Sequence, residues 1–421
     1  MSISKQRSAN PLWTKNFTII TVGSVVSMLG STLSGFAMSL LVLDYTGSTF
    51  LFALYNVFYM LPYSLAPVLC GPFLDRFSRR KTIYTLDFIT AGYYGLLAVI
   101  LTFGKLNFVF IAVSTLIIGT IGSIYTVAYE SFYPLLISEG NYSKAYSVQS
   151  TLEVMTFFMT PVSAFVYNKF GIVPLFVCNV ITYLIAAITE TQIKADENYI
   201  EKHKEESSDS NKKLGFSFIA DFKEGMKYLI SEKGLLAVAV YFCFSSLSGG
   251  ATGTLELPFF KNTYENGEYY YMLVVGTACV GRAIGGALHY KFKLPHKKKF
   301  EIALIVYITI SLLEGFFLFF PIPVMMVMCF LTGIGGVTSY NIRISATQQY
   351  VPDEKKGRFN GTFGTLNTIG TLLGQLVSGA LGEFLPARGI LCAIMMLNVL
   401  AAVVIIGGNK KHVAKIYNVP D

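Results

Sequence analysis

Twelve stretches of apolar residues run through this chain, each close to the ~20 residues that an α-helix needs to cross a ~30 Å hydrocarbon core. In hydrocarbon the backbone N–H and C=O groups must bond to one another, so segments of this length predict transmembrane helices. The predicted spans are residues 17–43, 49–70, 82–103, 107–130, 145–167, 172–193, 234–257, 268–290, 300–320, 322–349, 359–383 and 389–408. The composition agrees, because 53% of the 421 residues are hydrophobic and only 14% are charged. We therefore expect an all-α membrane protein.

One long polar stretch, residues 194–233, divides the spans into six and six. It predicts an N-terminal six-helix half (1–193), a cytoplasmic linker (194–233) and a C-terminal six-helix half (234–421). The first part of the linker is rich in Lys, Glu and Ser, which is typical of a solvated segment. Its second part has apolar residues on one helical face, which indicates an amphipathic helix on the membrane surface.

An internal repeat relates the two halves. The same spacing separates Gly71 from Gly285 and Asp87 from Glu301, and no gap is needed to align them. Such a duplication predicts two parallel six-helix units with pseudo-two-fold symmetry about an axis along the membrane normal.

The distribution of basic residues predicts the orientation. If the N-terminus is cytoplasmic, only four of the 33 Lys and Arg residues fall in outside loops and two lie inside spans. The positive-inside rule then favours a multi-pass protein of the cell membrane, plasma or inner, with both termini in the cytoplasm. This topology accounts for the net charge of +8, so no nucleic-acid partner is expected.

No pattern of catalytic or metal-binding residues stands out. The six cysteines lie in apolar runs without metal-type spacing, the four histidines lie near the predicted cytoplasmic surface, and there is no Walker motif. We expect no enzyme activity, no metal and no cofactor. The expected partners are a small-molecule substrate and the lipid bilayer, and nothing in the sequence requires more than a monomer.

The charged turn between the second and third spans carries a family resemblance. Its pattern, Gly-x-x-x-Asp-Arg-x-x-Arg-Arg from Gly71 to Arg80, resembles the signature of the major facilitator superfamily. Residues 134–137, 222–229 and 351–358 are similar to segments of its twelve-helix drug:proton antiporter branch, which includes macrolide efflux and siderophore export proteins. The resemblance implies a secondary active transporter that exports a small amphipathic compound by alternating access, with the proton gradient as its driving force.

The resemblance also implies a latch on the cytoplasmic side. Asp75 of the turn would bond at the N-terminus of the eleventh helix, where unpaired N–H groups favour a carboxylate. Arg79 would pair with Glu130 in the fourth span. Ser78 stands where the family usually has glycine, and His289 replaces the acid in the second copy. The alternative is a positive-inside anchor without a gating role. The residues of this gating motif are Gly71, Asp75, Arg76, Arg79, Arg80, Glu130 and Arg358.

Ionisable residues inside spans are candidates for proton coupling, because each is unfavourable in hydrocarbon without a partner or water. Glu153, Arg282 and Arg343 lie at similar depths in spans five, eight and ten. A pair of Glu153 with either arginine would be released when the acid is protonated. Glu256, near the outer end of span seven, is the second candidate carrier, and the alternative is a plain acid of the outer vestibule. A static buried ion pair or a snorkelling arginine is the alternative.

Of three other acids in the spans, two are expected to be structural and one is expected to be solvated. Asp87 and Glu301 are expected to pair with nearby loop cations, and Glu190, near a helix end, is expected to reach water.

The expected substrate cavity is rich in aromatic and amide side chains. Such a cavity with few charges suits an amphipathic molecule, cationic or neutral, better than a sugar or a phosphate ester. Aromatic stripes that only pack helices together are the alternative. The candidate residues are Phe52, Tyr55, Asn56, Tyr59, Tyr125, Tyr129, Asn341, Asn367 and Gln375. The glycines of the eleventh span are expected to allow close helix approach. They are Gly357, Gly361, Gly364, Gly370 and Gly374.

Two other functions remain open at this point. One is uptake or facilitated transport of a metabolite by the same fold. The other is a membrane sensor or partner protein that does not transport.

Overall fold

The computed structural model describes residues 11–74, 77–104, 107–138, 141–142, 144–146, 148–149, 152, 158–194, 217–292 and 294–419, with side chains of 67–74 and 217–221 left out. Helices dominate this part of the chain, and no strand occurs within it. The helices are α1 (Lys15–Thr46), α2 (Thr49–Leu74), α3 (Arg79–Thr102), α4 (Phe108–Phe132), α5 (Met159–Phe170), α6 (Val173–Glu190), α7 (Ser217–Ser231), α8 (Lys233–Thr263), α9 (Gly267–Lys291), α10 (Lys299–Phe316), α11 (Ile322–Tyr350), α12 (Asp353–Gly382), α13 (Ala387–Ala401) and α14 (Lys410–Tyr417).

Ten of the helices in the described ranges are long and apolar enough to cross a membrane. The predicted fifth span is represented by α5, described from Met159 onward, and the predicted eleventh span is α12, whose first turns are polar. Each of the twelve predicted spans overlaps one helix. The all-α membrane architecture predicted from the sequence is confirmed.

Two polar side chains determine where helices of the first half begin. The Ser78 hydroxyl accepts a hydrogen bond from the backbone N–H of Lys81 (3.1 Å), and the Asn107 side chain accepts one from Phe110 (2.7 Å). Both residues therefore act as N-caps, satisfying N–H groups that a helix start leaves unpaired. The serine that departs from the family's glycine has a structural role as the cap of α3.

The chain divides into two compact units. The first comprises Met1–Tyr45 with Phe58–Lys212, and α3 packs along both α4 and α6 within it. Polar side chains join its helices: Asn179 of α6 donates to the Ser34 hydroxyl of α1 (2.8 Å). Such interhelical hydrogen bonds help to hold membrane helices together, where burial of apolar surface contributes little.

The second unit comprises Thr46–Val57 with Lys213–Asp421, so it includes the first turns of α2. Its most extensive helix pairs are α8 with α12 and α9 with α11. Glycine brings the backbones together in both pairs, since a Cβ on Gly250 would overlap the carbonyl oxygen of Thr371, and one on Gly281 that of Phe330.

The first turns of α2 are fixed to the end of α12 inside this second unit. Glu383 follows α12, and its Oε1 accepts hydrogen bonds from the Ser48 hydroxyl (2.7 Å) and the backbone N–H of Phe50 (2.8 Å). A carboxylate is favourable there because the first N–H groups of a helix lack intrahelical partners.

The amphipathic helix predicted in the linker is present as α7. Its described side chains pack on α12: Leu229 is fully buried, and a Cβ on Gly225 would lie 2.9 Å from the carbonyl oxygen of Arg358. Residues 195–216 of the linker lie outside the described residues.

The short helix α14 packs into the core of the second unit, with Val413 and Tyr417 fully buried. The Tyr417 hydroxyl bonds to that of Tyr307 on α10 (2.9 Å). The following residue, Asn418, accepts a hydrogen bond from the backbone N–H of Phe300 (2.9 Å), in the first turn of α10. Residues 410–418 are thus an integral part of the unit.

Candidate functional site

A cavity of about 370 Å³ lies inside the first unit, between α1, α2, α3, α4 and α6. Three of the predicted cavity residues line it, namely Tyr59, Tyr125 and Tyr129. Its acidic groups are Asp87 on α3 and Glu130 on α4. The volume lies within the range of ~300–1,000 Å³ that is typical of small-molecule sites.

Aromatic rings give this cavity flat walls. The rings of Tyr125 and Tyr129 stack with centroids 6.0 Å apart, as expected for side chains four residues apart on one helix, and Tyr59 lies 5.5 Å from Tyr63. Hydroxyl groups of α1, from Ser24, Ser27, Ser31 and Thr32, line the same space. Ring faces with hydroxyls between them can bind a molecule that is partly apolar and partly polar.

Three predicted cavity residues of α2 belong to the second unit instead. Phe52 and Tyr55 are buried, with ring centroids 6.3 Å apart, and Asn56 is partly buried. Because α2 contributes its first turns to one unit and the rest to the other, its aromatic stripe is divided between them.

The three amide residues predicted in the second half all lie in the second unit, with Asn341 on α11 and the other two on α12. The side-chain oxygens of Asn367 and Gln375 are buried without a hydrogen-bond donor among the described residues. Buried amide oxygens are unfavourable in hydrocarbon, so these two acceptors are candidates for contact with a polar ligand or water.

The gating motif is only partly within the described residues. Gly71 lies in the last turn of α2, while Asp75 and Arg76 lie outside the described residues. The Arg79 guanidinium donates to the carbonyl oxygen of Ser131 (3.0 Å), the residue that follows its predicted partner Glu130. This contact joins the start of α3 to the end of α4 inside the first unit.

Two further arginines of the motif also have partners within their own unit. Arg80 donates to the carbonyl oxygen of Ile193 after α6 (2.5 Å), and Arg358 of α12 forms a salt bridge with Glu224 of α7 (2.7 Å). At the start of α12, Lys356 donates to Asp353 (2.6 Å), which lowers the pKa of that carboxyl. The predicted contact of Arg358 with the acid of the turn stays a prediction.

The second unit has a smaller cavity that contains charged groups. About 210 Å³ in volume, it is lined by Glu256 of α8, Arg282 of α9 and Glu314 of α10. Two of the predicted coupling residues, Glu256 and Arg282, therefore share one cavity. Glu153 lies outside the described residues, so its predicted pairing with either arginine stays a prediction.

Arg343 is surrounded by aromatic rings. Its guanidinium lies 4.9 Å from the ring centroid of Phe363, 5.0 Å from that of Phe242 and 5.3 Å from that of Tyr340. Ring faces attract a cation electrostatically, so this arginine is held by cation–π contacts from α8, α11 and α12.

Of the environments expected for Asp87, Glu190 and Glu301, only that of Glu301 is correct. Glu301 forms the expected contact with a cation, Lys410 (3.3 Å). Asp87 and Glu190 are instead completely buried, without a hydrogen-bond donor among the described residues. The prediction failed for Asp87 because its position faces the helix bundle, and for Glu190 because neighbouring helices cover the helix end.

A bundle of membrane-spanning helices with a polar, aromatic cavity inside one unit has the architecture of a solute transporter. The sequence model of the Major Facilitator Superfamily matches residues 20–374 and 297–416 of this chain. The chain belongs to this superfamily, and it is a multi-pass membrane transporter of small molecules, not an enzyme. The resemblance recognised in the charged turn is confirmed.

The chain is similar in sequence to two bacterial macrolide efflux proteins. Macrolide efflux protein A of Streptococcus pyogenes is 24% identical over 385 residues, covering 88% of this chain and 90% of that protein. Macrolide efflux protein A of Enterococcus faecalis is 24% identical over 328 residues, 75% of this chain and 95% of that protein.

Similar solved structures share the fold at low sequence identity. The peptide transporter POT in complex with alafosfalin has a TM-score of 0.70 at 9% identity, covering 96% of both chains. An inward-facing bacterial homologue of the iron transporter ferroportin has a TM-score of 0.64 at 14% identity, covering 93% of this chain and 98% of the other.

Proposed function

We propose that this transporter exports small amphipathic organic compounds, neutral or cationic, across the cell membrane by alternating access in exchange for protons. The observation that carries the proposal is the cavity of the first unit, where tyrosine rings and hydroxyl groups form the wall. Two relatives named macrolide efflux proteins support the substrate class and the direction of transport.

The polarity of the cavity supports an amphipathic substrate. Tyrosine offers a ring face for apolar surface and a hydroxyl for a polar group, so one wall can bind both parts of such a molecule. The acidic groups of the cavity, Asp87 and Glu130, favour a positive charge over an anion. The proposed orientation, with both termini cytoplasmic, rests on the distribution of Lys and Arg.

Transport of a macrolide in proteoliposomes tests the proposal. We expect the purified full chain to accumulate radiolabelled erythromycin in vesicles with an acidic lumen, and we expect collapse of the pH gradient by an ionophore to abolish the accumulation. Protein-free vesicles with the same gradient are the control, because a weak base also enters acidic vesicles by diffusion. Equal accumulation in the two kinds of vesicle would reject the proposal for this compound class, and equilibration that ignores the gradient would indicate a facilitator.

Glu256 is proposed to take part in proton coupling, since it is only 8% exposed and shares its cavity with Arg282 and Glu314. We expect Glu256→Gln, which keeps the shape but cannot lose a proton, to reduce gradient-driven accumulation severalfold. The matched control is Glu265→Gln, at an exposed acid beyond the end of α8. Equal accumulation by both variants would remove Glu256 from the coupling mechanism.

A further inference from the structure

Two carboxyl groups lie side by side in the interior of the first unit, and we call them the buried acid pair. They belong to Asp87 on α3 and Glu190 on α6, two helices that pack along each other. Both residues are 0% exposed, and the two side chains lie within hydrogen-bonding range of each other. None of their four oxygens has a hydrogen-bond donor in the described part of the chain.

The backbone of α1 and a tyrosine of α4 also lie next to the acid pair. A Cβ on Gly23 would lie 3.0 Å from Oε1 of Glu190, so glycine lets α1 cover this carboxyl group. The Tyr125 hydroxyl faces both acids and the Ser24 hydroxyl of α1, and it is buried. Four carboxyl oxygens therefore lie together, and the nearby Tyr125 O–H does not form a hydrogen bond with any of them.

The described part of the chain offers the acid pair no positive charge. Among the described residues, no Lys, Arg or His forms an ion pair with either carboxyl group. The titratable groups that face the pair are Tyr125 of α4 and Tyr183 of α6, and across the cavity α2 presents Tyr59 and Tyr63 while α4 presents Glu130. All of these are neutral or negative, so none can balance two carboxylates.

Two adjacent buried carboxylates without a cation repel each other and have lost their hydration. Binding of one proton relieves the repulsion, because a protonated carboxyl donates a hydrogen bond to the neighbouring carboxylate and the pair then carries a single charge. The second unit differs, since Arg282 shares the cavity of Glu256 and Glu314 and can compensate a negative charge. Since the described residues supply no cation to the acid pair of the first unit, a proton can serve this purpose.

Asp87 is the member of the pair that adjoins the cavity. Asp87 lines the cavity of the first unit, and Glu190 lies behind it. A proton released from Asp87 therefore enters the same space in which the proposed substrate binds. The O–H bond of the carboxyl breaks, water in the cavity accepts the proton, and the carboxylate that remains attracts a cationic substrate.

We propose that Asp87 and Glu190 form a proton-binding site that holds one shared proton at neutral pH and exchanges it with the cavity when a cationic substrate binds. This inference rests on the proposed function for its role in transport, whereas the shared proton itself does not. The chain would then have a proton site in its first unit that is distinct from the charged cavity of the second.

Infrared spectroscopy of the full-length protein tests the shared proton without any substrate. We expect a deuterium-sensitive carboxylic-acid C=O band at neutral pH that is lost in Asp87→Asn and in Glu190→Gln. Each variant keeps the shape of the side chain and introduces an amide N–H₂ donor, which lets the remaining acid ionise. The control is Glu130→Gln, in the same cavity but on an exposed residue, which should keep the band. If the band is missing from the wild-type-minus-variant difference spectra of both pair variants, in which any band from Glu256 or Glu314 cancels, the proposal is overturned.

Transport then tests the exchange. The measured quantity is the ratio of erythromycin accumulation with a pH gradient to that without one, after the accumulation in protein-free vesicles is subtracted under each condition. We expect this ratio to fall to near one in Glu190→Gln while the wild-type ratio stays well above one. A wild-type ratio of one would reject the proposed function and leave the infrared result as the test of the pair. A wild-type-like ratio in folded Glu190→Gln and Asp87→Asn would overturn the exchange role.

Discussion

Replacing Tyr417 with alanine is expected to lower the free energy of unfolding by about 3–5 kcal/mol, the range typical for truncating a large buried aromatic side chain. Tyr417 is fully buried among apolar residues of α8, α10 and the turn after α13. Its hydroxyl also bonds to that of Tyr307. The substitution removes both the ring packing and the hydrogen bond, and it leaves the Tyr307 hydroxyl without that partner.

Two further variants separate these contributions in the same thermal-unfolding experiment in detergent. Tyr417→Phe keeps the ring and should lower the free energy of unfolding by only about 1 kcal/mol, the net value of one hydrogen bond. Lys411→Ala, at an exposed position of the same helix, should change it by less than about 0.5 kcal/mol. If Tyr417→Ala melts like Lys411→Ala, α14 does not contribute to the stability of the second unit.

The helical architecture could be predicted because its signal is local. A run of about twenty apolar residues has only one way to satisfy its backbone in hydrocarbon, so each predicted span overlaps a helix. The C-terminal segment was predicted only as a basic cytoplasmic tail, since Lys410, Lys411 and Lys415 dominate its composition. Its buried residues, Val413, Ile416 and Tyr417, are few, and their burial depends on packing against α10, which is far away in the sequence.

The candidate site could be predicted in part. An aromatic spacing of four residues placed Tyr125 and Tyr129 on one face of a helix, and both line the cavity. The partnership of Asp87 with Glu190 joins residues that are far apart in the chain, and no local pattern connects them. The repeat instead suggested that Asp87 would resemble Glu301, which the structure contradicts because only Glu301 reaches a basic side chain.

The glycines of α12 could also be predicted only in part from the sequence. Their spacing predicted close helix approach, and Gly370 and Gly374, four residues apart, do meet the backbone of α8. Gly357, Gly361 and Gly364 have no neighbour within 4 Å of an added Cβ in the described part of the chain. Glycine content therefore indicated the contact, but only the packing of α8 on α12 identifies which residues make it.

Gly374→Ala is expected to destabilise the second unit by about 1–3 kcal/mol or more, as overpacking of a tight contact does. The added Cβ would overlap the carbonyl oxygen of Leu247 on α8 and lie 2.7 Å from its carbonyl carbon. These are backbone atoms, so no side-chain rotation can relieve the contact and α8 must move away from α12. Thermal unfolding of the purified variant in detergent measures the effect.

Gly364→Ala is the matched control, because it makes the same substitution on the same helix where nothing described lies within 4 Å. Alanine stabilises a helix interior by ~1 kcal/mol relative to glycine, and both variants gain this amount. The difference between their free energies of unfolding therefore isolates the contact with Leu247. We expect Gly364→Ala to melt at or above the wild-type temperature and Gly374→Ala to melt well below it. If the two variants shift together, the close approach of α8 and α12 does not limit the stability of this unit, and the packing described for this helix pair is wrong.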